Sequence, residues 1–249
     1  MTIKLDDNAF CLSCNLNRFH YLQDCFDKVG LKPPTLFPGA ILKNGAVGCL
    51  LGHISLVMMA RCLNLPYIVV YEDDAFPRPD VIKKFEIILE ELQSEDPYWG
   101  MLSLGRTGET SLWKGDTEDF WKNLTNRRNF KHKDSNVINV SDNIITIPKN
   151  PSGSHAYIVR NYCYNEWLWS LTNNSYSDIA MGQCNFKKNK VYWTKELLFC
   201  QKQIDKKCMT QLHNMHDVSY MYPVDYNLGL YTGYYKLTDI PPEGFTNEL

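Results

Sequence analysis

A mixed α/β sheet flanked by helices is the fold class that the sequence predicts, and three observations predict it. Tyr67-Ile68-Val69-Val70-Tyr71 is a continuous β-prone run of the kind found in a sheet covered on both faces. It is preceded by an uncharged apolar segment, 45–60. It is followed by a segment whose apolar positions Val81, Ile82, Phe85, Ile88, Leu89 and Leu92 recur at helical spacing. Strand-forming and helix-forming stretches alternate to about residue 171, the order expected of a sheet built with crossover connections.

Residues 9–14 are short, mostly apolar and bounded by polar residues, which predicts a buried first strand with Asn15 and Arg18 just beyond its end. A helix is expected over 20–29, closed by Gly30, and a short strand over 35–37 before the Pro38-Gly39 turn. Apolar residues surround 45–62 instead of forming a stripe, so this helix is expected to be buried on most sides. Its uncharged core, interrupted by Gly48, Gly52 and His53, is shorter than the roughly 20 residues that cross a bilayer. The strand at 67–71 empties into Glu72-Asp73-Asp74, turns at Pro77 and Pro79, and leads into the helix that begins at Val81. Further strands are expected at 100–104, 144–147 and 156–159, a helix at 161–171, and another starting near Asp178. Between them, 106–136 has only six apolar residues in 31 and reads as a surface excursion of the lid or binding-loop kind. From Ile204 onward the chain is Tyr-rich and irregular.

Composition narrows the function classes. The chain has 249 residues, with 26 basic and 28 acidic side chains and a formal net charge of −2. That balance argues against an obligate nucleic-acid binder, and the length suffices to bury a core without disulfides. Nine cysteines, spread from Cys11 to Cys208, lack the spacing of a small secreted scaffold and read as reduced thiols. Cys11 and Cys14 form a lone C-x-x-C inside a predicted strand, which disfavours zinc there. No targeting segment opens the chain, so a start near Met1 and a cytoplasmic location are expected, with peripheral membrane contact left open through the basic run Arg127, Arg128, Lys131 and Lys133. Three sequons, beginning at Asn123, Asn139 and Asn173, keep a secretory origin open.

The acidic triplet is the chemical signal. Three adjacent carboxylates at the end of a buried strand raise one another's pKa unless positive charge sits among them, and a divalent cation supplies it. Oxygen-only ligands select hard ions such as Mg²⁺ or Mn²⁺. A solvated turn capping the next helix is the alternative reading. In open α/β sheets ligands bind beyond the carboxyl ends of strands, which is where the triplet lies.

The segments Gly45-Ala46-Val47-Gly48-Cys49-Leu50-Leu51-Gly52-His53 and Leu65-Pro66-Tyr67-Ile68-Val69-Val70-Tyr71-Glu72-Asp73-Asp74-Ala75 together resemble the signature of glycosyltransferase family 25, whose members include lipopolysaccharide and collagen galactosyltransferases. Asn15-Leu16 with Arg18, Leu102-Ser103-Leu104-Gly105 and Ser154-His155-Ala156-Tyr157 resemble its other segments, and Asp178 and the stretch ending at Gln201 fall where the family has an acidic helix start and a closing element. Ala46 stands where the family usually has Glu, Gly52 where it has Ser, and the A-V-D-G element survives only partly at Phe37-Pro38-Gly39-Ala40. The last 48 residues match no family pattern.

The resemblance implies a GT-A-like nucleotide-sugar-binding sheet over 1–201, with 202–249 as an extension packed on the same domain. It implies a metal-dependent inverting transfer of a hexose, galactose or glucose, from a UDP-sugar to a saccharide, lipopolysaccharide or glycoprotein hydroxyl. Asp74 and Asp73 of the DxD-like triplet would hold Mn²⁺ or Mg²⁺. Asn15, Arg18, His53, Glu72, Asp73, His155 and Gln201 would line the donor site, and Asp178 would act as the general base. The residues themselves leave simpler roles open: a helix N-cap for Asp178, core packing for His53 and His155, and an ion pair for Arg18. A nucleotidyltransferase and a non-catalytic carbohydrate-binding module are the alternatives. The first lacks a Gly-rich, Lys-bearing phosphate loop after the opening strand, since 15–18 contains no Gly. No nucleic-acid partner is expected.

Overall fold

β-branched and aromatic side chains fill the middle of the sheet and set its layering. The computed structural model describes residues 2–42, 45–105, 138–146, 153–174, 177–183, 191–201, 224–225 and 230–231. Its strands are β1 (Ala9–Ser13), β2 (Thr35–Pro38), β3 (Tyr67–Glu72), β4 (Ala75–Pro77), β5 (Met101–Ser103), β6 (Ile138–Asn139), β7 (Ile144–Thr146), β8 (Ala156–Arg160), β9 (Val191–Thr194), β10 (Phe199–Gln201), β11 (Val224–Asp225) and β12 (Leu230–Tyr231). Its helices are α1 (Leu16–Lys28), α2 (Gly45–Cys62), α3 (Val81–Glu95), α4 (Tyr164–Thr172) and α5 (Ser177–Gln183), with a 3₁₀ turn, Asn161–Cys163, before α4.

Eight strands form one mixed sheet in the order β2-β1-β3-β8-β5-β9-β7-β6. The pairs β1·β2, β1·β3 and β5·β9 are parallel, whereas β8 runs antiparallel to both β3 and β5. The reversal of β8 positions the site. Tyr71 pairs with Ala156, so the residues just before β8 reach the same end of the sheet at which β1 and β3 finish. The Glu72 N–H accordingly donates to the His155 carbonyl at 2.8 Å.

Strand alternation sorts the core into two layers. Tyr67, Val69 and Tyr71 of β3 face Phe19, Leu22 and Phe26 of α1 and Phe85, Ile88 and Leu92 of α3. Ile68 and Val70 face the other way, toward Leu50, Leu56 and Val57 of α2, Trp167 and Leu171 of α4, and Ala180 and Met181 of α5. Residues 67–71 are therefore buried on both faces, as their uninterrupted apolar character predicts. The mixed α/β sheet flanked by helices is the architecture expected from the sequence.

Helix α2 has a mean hydropathy of 1.5 over 18 residues, long and apolar enough by composition to cross a membrane. In the fold it buries Val47, Leu50, Leu56, Val57 and Ala60 against the sheet and neighbouring helices. Gly48 is required where it stands, because a Cβ there would collide with the Ala40 carbonyl.

Three local expectations shift. Helix α1 begins at Leu16, four residues before the predicted start, because Asn15 caps it: its Oδ1 accepts from the Arg18 N–H at 3.0 Å. Arg18 consequently sits in the first helical turn. Ahead of the turns expected at Pro77 and Pro79, residues 75–77 form a short strand, β4, paired antiparallel with β10. The predicted helix 161–171 opens with a turn of 3₁₀ and becomes α-helical only at Tyr164. The excursion at 106–136 and nearly all of the Tyr-rich end lie outside the described residues, apart from the β11–β12 pair.

Candidate functional site

The carboxyl ends of β1 and β3, the first turn of α1 and the approach to β8 meet at one place. There the Arg18 guanidinium lies between two acids, with Nη2 at 2.6 Å from Asp73 Oδ1 and 3.6 Å from Asp74 Oδ2. Ser13, the last residue of β1, donates from Oγ to Asp73 Oδ2 at 2.6 Å. Asp73, Asp74 and Arg18 are each less than a tenth exposed. Beyond Glu72 the chain turns into the β4·β10 pair instead of out to solvent, and the two aspartates are buried. Buried carboxylates require compensation, and the guanidinium provides it.

Glu72 points the other way, into a hydrogen-bond network under α2. Its Oε1 accepts from Ser154 Oγ at 2.7 Å and meets His53 Nε2 at 3.2 Å. Behind His53, Nδ1 lies 2.9 Å from the Tyr157 hydroxyl, to which Trp167 Nε1 donates at 3.3 Å. Cys49, one helical turn before His53, places Sγ at 3.9 Å from Glu72 Oε1. On the α5 side, the Ser154 N–H donates to Asp178 Oδ1 at 2.7 Å, and the Ser154 hydroxyl, whose single proton Glu72 and Asp178 share, lies 3.0 Å from Asp178 Oδ1 and 2.8 Å from Ser177 Oγ.

Environment drives the two neighbouring carboxyls in opposite directions. Burial alone would raise Glu72, but the hydrogen bond and charge of His53, with the Ser154 hydroxyl and His155, outweigh it and hold Glu72 at about 2. Asp178 is pushed upward by burial first and by the Glu72 charge second, with the Ser154 hydrogen bonds only partly offsetting them. A carboxylate raised in this way is more basic than usual at neutral pH. Burial likewise pushes the Cys49 thiol up, with the Glu72 charge adding to it.

Six residues singled out in the sequence, Arg18, His53, Glu72, Asp73, Asp74 and Asp178, are thus brought to one end of the sheet. Asn15 stands at the same end as the α1 cap. Gln201 pairs in register with Ala75, directly after the triplet. The His155 ring is 1% exposed, with Nε2 at 3.4 Å from the Phe199 carbonyl and burial lowering its pKa. Gly105 leaves room for that ring, since a Cβ there would strike both it and the Phe199 carbonyl. Asp178 lies inside α5, one residue after its start, and not at a cap.

Sequence reasoning missed the roles of Ser13, Ser154 and Tyr157. The signal for Ser13 is a small hydroxyl closing a buried strand, where a polar side chain needs a partner. For Tyr157 it is a phenol at an inward position of a central strand, whose hydroxyl must find a hydrogen bond once buried.

Comparisons with known proteins bear on the family. A model of glycosyltransferase family 25 (LPS biosynthesis protein) matches residues 34–181, which run from β2 into α5. A stretch of 70 residues is 33% identical to a Bos taurus protein named "Probable inactive glycosyltransferase 25 family member 3", and 31% identical to the Rattus norvegicus protein of the same name. Each match covers 28% of this chain and 12% of the relative's own length. The family match runs over more than half of the chain and takes in α2, the acidic turn and the start of α5: the chain belongs to glycosyltransferase family 25.

Proposed function

We propose that this chain is a metal-dependent inverting glycosyltransferase that moves a hexose, galactose or glucose, from a UDP-sugar to a hydroxyl of a saccharide, lipopolysaccharide or glycoprotein acceptor. The observation that carries the reading is the convergence of Asp73, Asp74 and Arg18 with Glu72 and Asp178 at the carboxyl end of the parallel strands. The catalytic unit is residues 1–201, with 202–249 as an extension of it.

Asp74 and Asp73 offer adjacent, buried carboxylate oxygens, and the guanidinium between them shows that this pocket gathers positive charge. That donor set fits a hard ion, Mn²⁺ or Mg²⁺, which when bound neutralises charge on the departing diphosphate. Arg18, released in part from the aspartates, is the group in the pocket that suits a phosphate, which it grips through paired N–H donors. Glu72, held ionised and oriented by His53 and Ser154, accepts hydrogen bonds from donor hydroxyls. Asn15, His155 and Gln201 support the same side of the site.

Asp178 takes the proton from the attacking acceptor hydroxyl as that oxygen bonds to the anomeric carbon and the bond to the diphosphate breaks. Both described hydrogen bonds to Asp178 fall on Oδ1 and come from Ser154, which fixes the carboxylate, while the raised pKa supplies basicity.

Ala46 and Gly52, in place of the family's Glu and Ser, favour a second reading, a non-catalytic carbohydrate-binding module on the same fold. A thermal-shift screen of UDP-hexoses with and without Mn²⁺, followed by a UDP-release assay on the stabilising donors, separates the two. Stabilisation at 100 times Kd amounts to about 2.7 kcal/mol, well within reach of the method. Stabilisation with UDP release supports the enzyme, stabilisation without release supports the module, and no response to any UDP-sugar overturns both.

A further inference from the structure

We infer that Cys49, His53 and Glu72 form a binding site for a borderline divalent cation of the zinc class, separate from the oxygen donors Asp73 and Asp74. The three ligand atoms all lie within 4.8 Å of one another, with His53 Nε2 at 3.2 Å and Cys49 Sγ at 3.9 Å from Glu72 Oε1. Tetrahedral zinc, with bonds of about 2.0 Å to N and O and 2.3 Å to S, separates its ligands by roughly 3.3–3.7 Å. The two separations from Glu72 bracket that range and Cys49 lies within 4.8 Å of His53, so side-chain adjustments close the triangle. Thiolate, imidazole and carboxylate together select zinc or cobalt over magnesium or manganese, the opposite preference from that of the two aspartates.

Two further features belong to a built ligand set. Cys49 and His53 stand four residues apart on α2, on one face, while Glu72 closes the triangle from the end of β3. His53 is fully buried, and its second ring nitrogen is held at 2.9 Å by the Tyr157 hydroxyl, the outer-shell partner that fixes a ligating imidazole. The Tyr157 hydroxyl can accept from Nδ1–H or donate to Nδ1, so it serves either tautomer. Cys49 and Glu72 are only partly buried, which gives an ion a route in. Binding displaces the Cys49 S–H proton, and His53 ligates through Nε2 with its proton on Nδ1, donated to the Tyr157 hydroxyl. A water completes the fourth position.

The inference does not depend on glycosyl transfer, and its test reads the metal alone. Co²⁺ added to the reduced full-length protein should give one equivalent of a tetrahedral species, with intense visible ligand-field bands and a near-ultraviolet thiolate-to-cobalt charge-transfer band. One equivalent of Zn²⁺ should remove both, whereas a tenfold excess of Mn²⁺ should leave them. In Cys49→Ser, with near-ultraviolet circular dichroism matching the parent, the charge-transfer band should vanish. In Asp74→Asn it should persist. Absence of the band in the parent protein, its survival in Cys49→Ser, or its loss in Asp74→Asn would each overturn the assignment.

Discussion

Glu72 and Asp73 are chain neighbours, yet they look into different chemistry. Glu72, the last residue of β3, follows Val70 toward α2, and beyond it the chain turns so that Asp73 and Asp74 both lie beside Arg18. On the first side the partners are Arg18 and Ser13, a full cation and a hydroxyl around hard oxygen donors. On the second they are His53, Ser154 and Cys49, neutral or titratable groups with nitrogen and sulfur in reach. A one-residue step therefore separates a pocket that suits a hard ion and a phosphate from one that orients a carboxylate. The three adjacent acids are not a single ligand cluster: Glu72 faces His53 and Ser154, while Asp73 and Asp74 share the Arg18 side.

The strongest way to break that comparison is Asp74→Asn. The amide keeps the shape of the side chain, and Arg18 stays paired with Asp73 at 2.6 Å, so the fold should survive. Mn²⁺-dependent UDP release should fall to background, a loss on the order of 10³-fold or more if charge neutralisation at the diphosphate is removed. Retention of full turnover would assign the metal elsewhere. The measurement is initial rate against Mn²⁺ concentration, with circular dichroism as the control for folding.

Asp178→Asn tests the other face and carries a smaller loss. Turnover should drop about 10²-fold with donor affinity unchanged, as expected when a general base is removed. Stability should move in the opposite direction. Asp178 has a folded pKa raised above its unfolded value, so ionising it in the native state is unfavourable. That penalty is absent below about pH 4, where the group is protonated in both states, and is fully present above the folded pKa. The Asn variant should therefore melt higher than the parent at pH 7, by about 2–4 °C for each kcal/mol relieved, and match it near pH 3. A lower melting temperature at pH 7 would mean that the ionised carboxylate stabilises the fold. Glu72 behaves in the reverse sense: held at about 2, it contributes stability above its unfolded range near 4.3 that is lost only as the pH falls toward 2.

These contrasts explain what the sequence could and could not reveal. The sheet's central strand, α2, α3 and the acidic triplet are local signals: a continuous apolar run, an uncharged stretch, a helical period and three charges in a row. Each is written in fewer than 20 consecutive residues, and each reappears in the structure. Contacts made at long range were not legible. Nothing near Arg18 announces partners more than 50 residues away at Asp73 and Asp74, and nothing near Tyr157 announces His53, 104 residues distant. The burial of Asp73 and Asp74 is not legible for the same reason, because β10, which pairs with Ala75–Pro77, lies more than 120 positions downstream. The start of α1 lies four residues earlier than its apolar pattern predicts, because the signal there is a single cap, the Asn15 side chain accepting from the Arg18 N–H.

The finest discrimination comes from Ser13→Ala. Ser13 touches only the first face: its hydroxyl donates to Asp73 Oδ2 at 2.6 Å in a buried setting and engages the Asn15 backbone at 2.9 Å. Removing it takes one hydrogen bond from a buried carboxylate, a cost of about 1.5–3 kcal/mol. Arg18 remains on the other oxygen, so Asp73 stays in place, and turnover should change only severalfold. Mn²⁺ affinity, read by titration in the absence of donor, should shift with it, because one of the two oxygen ligands has lost its anchor. The Co²⁺ charge-transfer band of Cys49, His53 and Glu72 should stay as it is, since no described bond links Ser13 to that side. If Ser13→Ala moves both signals together, the two faces are coupled through the β3 end, and they are separated less completely than their contacts indicate.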